Sequence, residues 1–507
     1  MSKDIKSLIN LLIKKFEAGQ FQEVIEKSII VLKKNDNDFL WNLLGLSFQN
    51  INQITKSIDC FKNAFNLNPK SFTALNNLGL SYKKLKNFKK AEEYLLESLE
   101  INPQHINALV NLGNVKNDTY FFEKAIFYYE KAISIDDKIP LIYLNISNVY
   151  QTINRIEDAK NYLNKAISID PSFTIADQKL TKLENYKEKN PHIESMIKKF
   201  ESNDLKDIQK VYLGFGLYKV FKDIKDYNKS SYYLKIANQL QRKLLTYDIN
   251  LHKSLSDKIK TIFSKLNLKD YDQNNSGKNY IFILGMPRSG TTLIEKIVSS
   301  HSKVSTISES NFIPEKIFKY INGDFEDLKI FLSSGLGNDY EKFMKSFNIK
   351  NEIIIDKTLT NFWYLGFIKI LFPKSKIIHV SRNPKDNCLS IFENLFDQPE
   401  GWNSDQKELA EYYLIYKDLM NFWKELFGET ILNIKYEELI LDSEKNIRDL
   451  ISFCDLNWEE ECINFYKNNN PIKTVSVNQA NKPIYKSSIN KFKDYENDLD
   501  ILFSKLN

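Results

Sequence analysis

The chain has 507 residues, 42% of them hydrophobic, so it is long and apolar enough for two or three domains with sizeable cores. Its 71 basic and 65 acidic residues give a net charge of +6, which is too balanced to indicate a nucleic-acid-binding protein. The four cysteines lack CxxC or other metal-ligand spacing, so they predict neither a disulfide framework nor a zinc site.

The apolar run nearest the N-terminus, residues 8–13, is short, contains the polar Asn10 and is followed by Lys14 and Lys15. It is too short and polar for a signal peptide. The sequence also lacks an apolar run of the roughly 18 residues that a transmembrane helix needs. We therefore expect a cytoplasmic protein without a transmembrane segment.

A period of 34 residues runs through the N-terminal third, where Leu-Gly pairs recur at Gly45, Gly79 and Gly113 and Ser147 continues the series. Bulky and small residues recur at fixed distances behind each pair. This pattern resembles the tetratricopeptide repeat, a helix–turn–helix unit whose small residues let paired helices approach closely. It predicts an all-α helical solenoid over residues 1–189, with units near 38–71, 72–105, 106–139 and 140–173 and a degenerate first unit at 4–37.

A solenoid of this kind presents a concave surface that could bind a peptide or protein segment. It could equally act as a scaffold that rigidifies or dimerises the rest of the chain. The sequence leaves both interpretations open, since fold alone does not fix function.

Residues 190–275 have a less regular helical pattern that echoes the repeats and ends in a polar segment. The sequence around Asn274, Asn275, Ser276 and Gly277 is typical of a linker. We therefore predict an additional repeat-like region at 190–275 and a separate domain at 276–507.

The second predicted domain opens with an apolar strand at 281–284, a loop between Gly285 and Gly290, and an amphipathic helix. The N-terminus of such a helix favours an anion. The spacing is similar to a Walker A loop, but Thr291 stands where an ATPase or GTPase has lysine. Arg288 lies inside the loop instead and is suited to a bidentate contact with phosphate or sulfate.

Strands and helices then alternate, which predicts a P-loop-like α/β domain with a parallel sheet. Polar clusters follow each strand, and the carboxyl ends of parallel strands meet at one edge, so these clusters are expected to converge. Some of these residues are also ordinary helix caps. The predicted strands are 281–284, 304–307, 352–355, 376–380 and 430–434.

Residues 280–495 resemble sulfotransferases that use 3′-phosphoadenosine 5′-phosphosulfate (PAPS), closest to the tyrosylprotein sulfotransferase branch and its bacterial repeat-fused relatives. The resemblance implies the sulfotransferase fold, PAPS as co-substrate, a hydroxyl acceptor and no metal. It also implies that the loop holds the 5′-phosphosulfate. The loop residues concerned are Pro287, Arg288, Ser289, Gly290, Thr291 and Thr292.

The same resemblance implies catalytic roles for Glu309, which stands 21 residues after Arg288 as the family's general base does, and for Lys357 and Ser476 at the leaving phosphate. His301 and His379 read more naturally as structural residues. The resemblance further implies that Arg382 and Ser390 bind the 3′-phosphate and that Tyr436 contacts the adenine. It also implies that Lys482 is a late phosphate-binding lysine.

The arginines that follow the base in the tyrosylprotein branch are absent after Glu309, so the acceptor remains open between peptide tyrosine, a saccharide and a small molecule. Residues 311–350 and 393–406 are expected to form its wall. One alternative is an interaction scaffold whose sheet domain binds nucleotide without catalysis. Another is a kinase-like enzyme, disfavoured by the missing Walker lysine and by Asp356 being its only candidate magnesium ligand.

Overall fold

The structure is a computed structural model that describes residues 3–268, 276–321, 335–346, 351–396, 399–467 and 489–506, together with 323, 328, 330, 332, 483 and 484. The chain divides into two compact units, Met1–Leu205 and Lys206–Asn507.

The first unit is built from helices in consecutive pairs, as the repeat period predicts. The small residues of the repeat let the helices of a pair approach closely. A Cβ atom at Gly45 or Gly113 would lie 2.5 Å from the ring of Phe61 or Tyr129, respectively. The helices are α1 (Lys3–Glu17), α2 (Phe21–Leu32), α3 (Asp38–Asn50), α4 (Ile54–Leu67), α5 (Phe72–Lys84), α6 (Phe88–Ile101), α7 (Ile106–Asp118), α8 (Phe122–Ile135), α9 (Pro140–Thr152), α10 (Ile156–Ile169), α11 (Ile175–Leu183) and α12 (Pro191–Glu201).

The second unit begins with three helices, α13 (Asp207–Ile224), α14 (Tyr227–Lys243) and α15 (Ile249–Lys265). They pack against later parts of the same unit. Phe263 on α15 contacts the rings of Phe367 and Trp423 at centroid distances of 4.9 and 4.8 Å. Arg242 on α14 pairs with Glu408 through two hydrogen bonds, of 2.6 and 2.9 Å.

The structure therefore divides the chain differently from the predicted region 190–275. Helix α12 belongs to the repeat unit, whereas α13 to α15 belong to the unit that contains the sheet. The physical reason is that α15 buries Phe263 in the aromatic core of the second unit, not against a further repeat.

All five predicted strands form, as β1 (Tyr280–Leu284), β2 (Val304–Thr306), β3 (Ile353–Asp356), β4 (Lys376–Ser381) and β5 (Ile431–Lys435). They make one parallel sheet of order β2-β3-β1-β4-β5. β1 is buried along its whole length and lies between β3 and β4. The strands β2 and β3 lie on one side of it and β4 and β5 on the other, so the strand order reverses at its carboxyl end. Ligands of open parallel sheets bind at this switch point.

Helices cover both faces of the sheet. On one face Ile281 and Ile283 of β1 pack in a core with Ile294 and Ile297. On the other face the ring of Phe282 lies 6.0 Å from that of Phe372. The helices of this part are α16 (Thr291–Val298), α17 (Phe312–Ile321), α18 (Leu336–Ser346), α19 (Leu365–Leu371), α20 (Pro384–Phe392), α21 (Gln406–Phe427), α22 (Tyr436–Leu441), α23 (Ser443–Phe453) and α24 (Asp500–Phe503).

Candidate active site

The loop between β1 and α16 folds tightly because three of its residues have positive φ angles. These angles are 153° at Gly285, 65° at Arg288 and 111° at Gly290. A Cβ at Gly285 would lie 2.5 Å from the carbonyl oxygen of Val380, and one at Gly290 would lie 2.6 Å from the ring of Tyr436. The two glycines are therefore required by both conformation and space.

The loop has the features of an anion cradle. It leads directly into the N-terminus of α16, where Thr291 and Thr292 are buried. The hydroxyl of Ser289 is buried and has no hydrogen-bond partner among the residues described. A buried hydroxyl without a partner is costly, so a ligand that accepts its hydrogen bond fits this position.

The two arginines predicted to bind the donor lie together at this loop. Arg288 Nε donates to Ser390 Oγ across 3.2 Å, and Arg382 Nη1 donates to the carbonyl oxygen of Arg288 across 3.2 Å. The guanidinium of Arg382 also lies 5.0 Å from the ring centroid of Tyr436. The structure thus brings four predicted donor-site residues into one cluster.

The predicted base and lysine meet at the ends of β2 and β3. Lys357 Nζ donates to Glu309 Oε1 across 2.8 Å. The lysine side chain is 1% exposed, whereas that of Glu309 is 45% exposed. The main-chain N–H of Lys357 donates to the carbonyl oxygen of Ser308 across 2.7 Å, which fixes the two strand ends to each other.

Comparison with known proteins matches both parts of the chain to known families. Residues 280–460 match the sulfotransferase family, and residues 40–71, 72–105, 106–139 and 141–173 match tetratricopeptide repeats. The chain carries a sulfotransferase domain behind tetratricopeptide repeats. Both predicted resemblances are confirmed at this level.

Several curated proteins match parts of the chain, and two of the three described next are named as protein-tyrosine sulfotransferases. An uncharacterized protein of Aquifex aeolicus is 31% identical over 335 residues, which cover 62% of this chain and 44% of the relative. Protein-tyrosine sulfotransferase A of Caenorhabditis elegans is 22% identical over 204 residues, covering 38% and 54%. Protein-tyrosine sulfotransferase of Drosophila melanogaster is 22% identical over 280 residues, covering 50% and 52%. The chain spans about half the length of the curated relatives it matches.

Among solved structures, the crystal structure of MamA is 26% identical to the matched part, with a TM-score of 0.29, and the match covers 31% of this chain and 93% of that chain. Within the part of the chain that the structure describes, no helix is long and apolar enough to cross a membrane. The described residues also contain no group of three or more histidine, cysteine or acidic side chains that could hold a metal ion.

Asp356, the candidate magnesium ligand of the kinase-like alternative, serves a different purpose in the sulfotransferase domain. Its carboxylate accepts hydrogen bonds from Ser310 Oγ at 2.7 Å, Tyr340 OH at 2.9 Å and the N–H of Thr358 at 3.0 Å. Burial raises the pKa of Asp356, and these hydrogen bonds oppose that rise. The carboxylate therefore joins β3 to the segment that follows Glu309.

The two histidines of the domain both make internal hydrogen bonds. His301 Nε2 lies 2.9 Å from the carbonyl oxygen of Asn457. His379 Nδ1 lies 2.6 Å from Asn433 Oδ1, and its Nε2 is hydrogen-bonded to the hydroxyl of Tyr416. Burial lowers the pKa of His379 to about 4, so its imidazole is neutral near pH 7.

Sequence reasoning missed Lys491, which the structure places near the predicted donor site. Asp386 on α20 accepts hydrogen bonds from the N–H groups of Asn490 and Phe492 at 2.7 and 3.0 Å and so holds the segment around Lys491. Burial lowers the pKa of Lys491, and the neighbouring charges of Lys222 and Arg382 also lower it, while the carboxylates of Glu393 and Asp386 oppose this change. The only sequence signal was a lysine in a basic C-terminal segment.

Two predicted site residues, Ser476 and Lys482, lie outside the described residues. The predicted acceptor wall at 311–350 and 393–406 is described in part, and its described elements include α17 and α18.

Proposed function

We propose that the sulfotransferase domain transfers a sulfuryl group from PAPS to a hydroxyl acceptor. The observation that carries this proposal is the ion pair between Glu309 and Lys357, whose atoms lie 2.8 Å apart. The pair lies where β2 and β3 end, and β3 is the neighbour of β1, which leads into the anion cradle. Transfer of a sulfuryl group to a hydroxyl is assisted by a base that takes the hydroxyl proton and by a cation that stabilises the anionic leaving group. Glu309 and Lys357 supply such a pair.

The chain's own residues fit PAPS. The amides of the loop, the hydroxyl of Ser289 and Arg288 would hold its 5′ end, which supplies the activated sulfuryl group. Arg382, Ser390 and Lys491 would hold the 3′-phosphate, whose negative charge would pair with the two cations. The ring of Tyr436 lies beside Arg382 at 5.0 Å and would contact the adenine.

Glu309 would take the proton of the acceptor hydroxyl, because it is the more exposed member of its pair. Lys357 would stabilise the negative charge that develops on the leaving oxygen, since its buried ammonium acts in a low-dielectric environment. The ion pair must open for both roles, so binding of donor and acceptor would replace the contact between the two residues. Ser476 would take part in the same step, as the resemblance implies.

The acceptor is part of the proposal and is a hydroxyl of a peptide, a saccharide or a small molecule. The repeats would recruit it, or a partner protein, through their concave face, which is the common use of such solenoids. The curated protein-tyrosine sulfotransferases favour a peptide, but the arginines expected after the base of that branch are absent after Glu309.

Thermal denaturation with nucleotides tests the donor assignment. The product 3′-phosphoadenosine 5′-phosphate (PAP) should raise the melting temperature, whereas ATP with Mg²⁺ should have little effect. Stabilisation by ATP with Mg²⁺ alone would favour the kinase-like alternative. Incubation with ³⁵S-labelled PAPS and a cell extract then tests the reaction. Binding of PAP without any labelled product would favour the nucleotide-binding scaffold.

A further inference from the structure

Lys357 has a second carboxylate partner besides Glu309. Glu295 on α16 places its Oε2 atom 3.7 Å from Lys357 Nζ, while Glu309 Oε1 lies 2.8 Å from the same nitrogen. The two partners differ in exposure, since the side chain of Glu295 is 0% exposed and that of Glu309 is 45% exposed. One ammonium therefore has one buried and one solvent-accessible counter-ion.

Glu295 is held in place through its other oxygen. Its Oε1 accepts hydrogen bonds from Thr306 Oγ1 at 2.6 Å and from Ser308 Oγ at 2.8 Å. Its Oε2 is buried and accepts no hydrogen bond from the described residues. A buried carboxylate is costly unless it is paired, and the nearby ammonium of Lys357 supplies the compensating charge. This arrangement fixes the carboxylate and leaves one oxygen directed to the lysine.

We propose that Glu295 is a positioning residue that serves as the permanent counter-ion of Lys357, so that Glu309 is able to leave the lysine and take the acceptor's proton. This inference rests on the proposed function. Once Glu309 is protonated it no longer neutralises the lysine. With Glu309 as its sole partner, Lys357 would then be a buried cation without a counter-ion, which is unfavourable. Glu295 supplies that counter-ion at the step in which the leaving oxygen needs a cation.

Two further charged residues are sequence neighbours of this site. Asp356 is the last residue of β3 and precedes Lys357. Its carboxylate accepts hydrogen bonds from Ser310 and Tyr340. Lys296 follows Glu295 on α16. Burial lowers the pKa of Lys296, and the negative charge of Glu295 opposes that change. Among the described residues, Glu295 and Glu309 are the acidic side chains within 4.0 Å of Lys357 Nζ.

The pH dependence of PAP binding tests this role without requiring turnover. Calorimetry on the full-length wild type, Glu295→Gln and Lys357→Ala would cover about pH 6 to about pH 10, a range that approaches the ordinary lysine pKa. Wild type should bind PAP over the neutral part of this range and lose affinity towards its alkaline end. The alkaline loss should begin at a lower pH in Glu295→Gln, because a negative charge that favours the ammonium form is gone. Lys357→Ala should bind more weakly and show a smaller alkaline loss.

Glu459→Gln is the matched control, since Glu459 also accepts two hydrogen bonds, from the N–H and the hydroxyl of Ser302. Its curve should coincide with that of wild type. If Glu295→Gln binds PAP with an unchanged pH dependence, the inference is overturned while the proposed function stands. A wild type that does not bind PAP overturns both. Should Glu295→Gln fail to fold, Glu295→Asp withdraws the charge from the lysine and must shift the curve in the same direction.

Discussion

Arg382 Nη1 donates a hydrogen bond to the main-chain carbonyl oxygen of Arg288 across 3.2 Å. The same guanidinium lies over the ring of Tyr436, the first residue of α22. Arg382 follows β4 directly, so one side chain connects the loop after β1 with the ends of β4 and β5. Its loss should therefore affect the loop as well as the ligand.

Arg382→Ala is predicted to weaken PAP binding by about 1.5 to 3 kcal/mol, the usual range for hydrogen bonds to charged groups. Calorimetry measures the change. Arg448→Ala is the control, because Arg448 also lies over an aromatic ring, that of Trp458, and pairs with a glutamate on the same helix. Equal affinities for wild type and Arg382→Ala would remove Arg382 from the donor site.

Gly290→Ala is predicted to abolish PAP binding and to lower the stability of the second unit by about 1 to 3 kcal/mol, because the φ of 111° is unfavourable for alanine. The new Cβ would also lie 2.6 Å from Tyr436. Gly428→Ala is the control, since Gly428 has a φ of 56° and a Cβ added there would meet no atom within 4 Å. It should bind PAP normally. Normal binding by Gly290→Ala would show that the loop tolerates a different conformation.

A fragment that begins near residue 270 is predicted to be insoluble or poorly packed, whereas one that begins at Lys206 should fold. The shorter fragment lacks α15, whose Phe263 contacts the buried Trp423, and lacks Arg242, the partner of Glu408. Removing a buried aromatic side chain alone costs about 3 to 5 kcal/mol. Near-UV circular dichroism and PAP binding compare the two fragments. A well-packed, PAP-binding fragment from residue 270 would show that α13 to α15 are dispensable.

The sequence predicted the elements whose signals are local. The five strands were predicted from short apolar runs, and the glycine loop from the spacing of Gly285 and Gly290. Both signals can be recognised without knowing which distant residues are in contact. The packing of α15 was missed because the contact between Phe263 and Trp423 joins residues far apart in the chain. Glu295 was missed for a related reason, since one acidic residue in an amphipathic helix is normally exposed. Only the folded structure brings it to Lys357.

Acid should destabilise the second unit through His379. Burial lowers the pKa of its imidazole to about 4, against about 6.5 in an unfolded chain. The unfolded state binds more protons between these values, so stability is complete above about pH 6.5 and falls as the pH drops towards 4, by about 3 kcal/mol. Urea denaturation across this range measures the slope. His379→Asn should have a shallower pH dependence, and an identical one would exclude His379 as a source of it.

The exchange of partners at Lys357 leads to the sharpest prediction for the reaction. Glu309→Gln keeps the shape of the side chain but removes its negative charge and its capacity to take a proton. The groups proposed to hold PAP are unchanged, and Lys357 keeps Glu295 at 3.7 Å. PAP affinity should therefore stay near that of wild type, while single-turnover transfer from labelled PAPS should fall by about 10²- to 10⁴-fold, the typical contribution of a general base.

Lys357→Ala should behave differently, since it removes a cation that faces the donor. Its transfer rate should fall together with its PAP affinity, and the buried Glu295 would be left without a counter-ion, which lowers stability as well. Glu429→Gln controls for the loss of an exposed carboxylate outside the predicted acceptor wall and should retain wild-type rates. A Glu309→Gln enzyme with near wild-type turnover would reject Glu309 as the base. The two histidines would then need testing, although their ring nitrogens are already hydrogen-bonded. Those of His301 contact the main chain of Asn457 and Lys303, and those of His379 contact Asn433 and Tyr416.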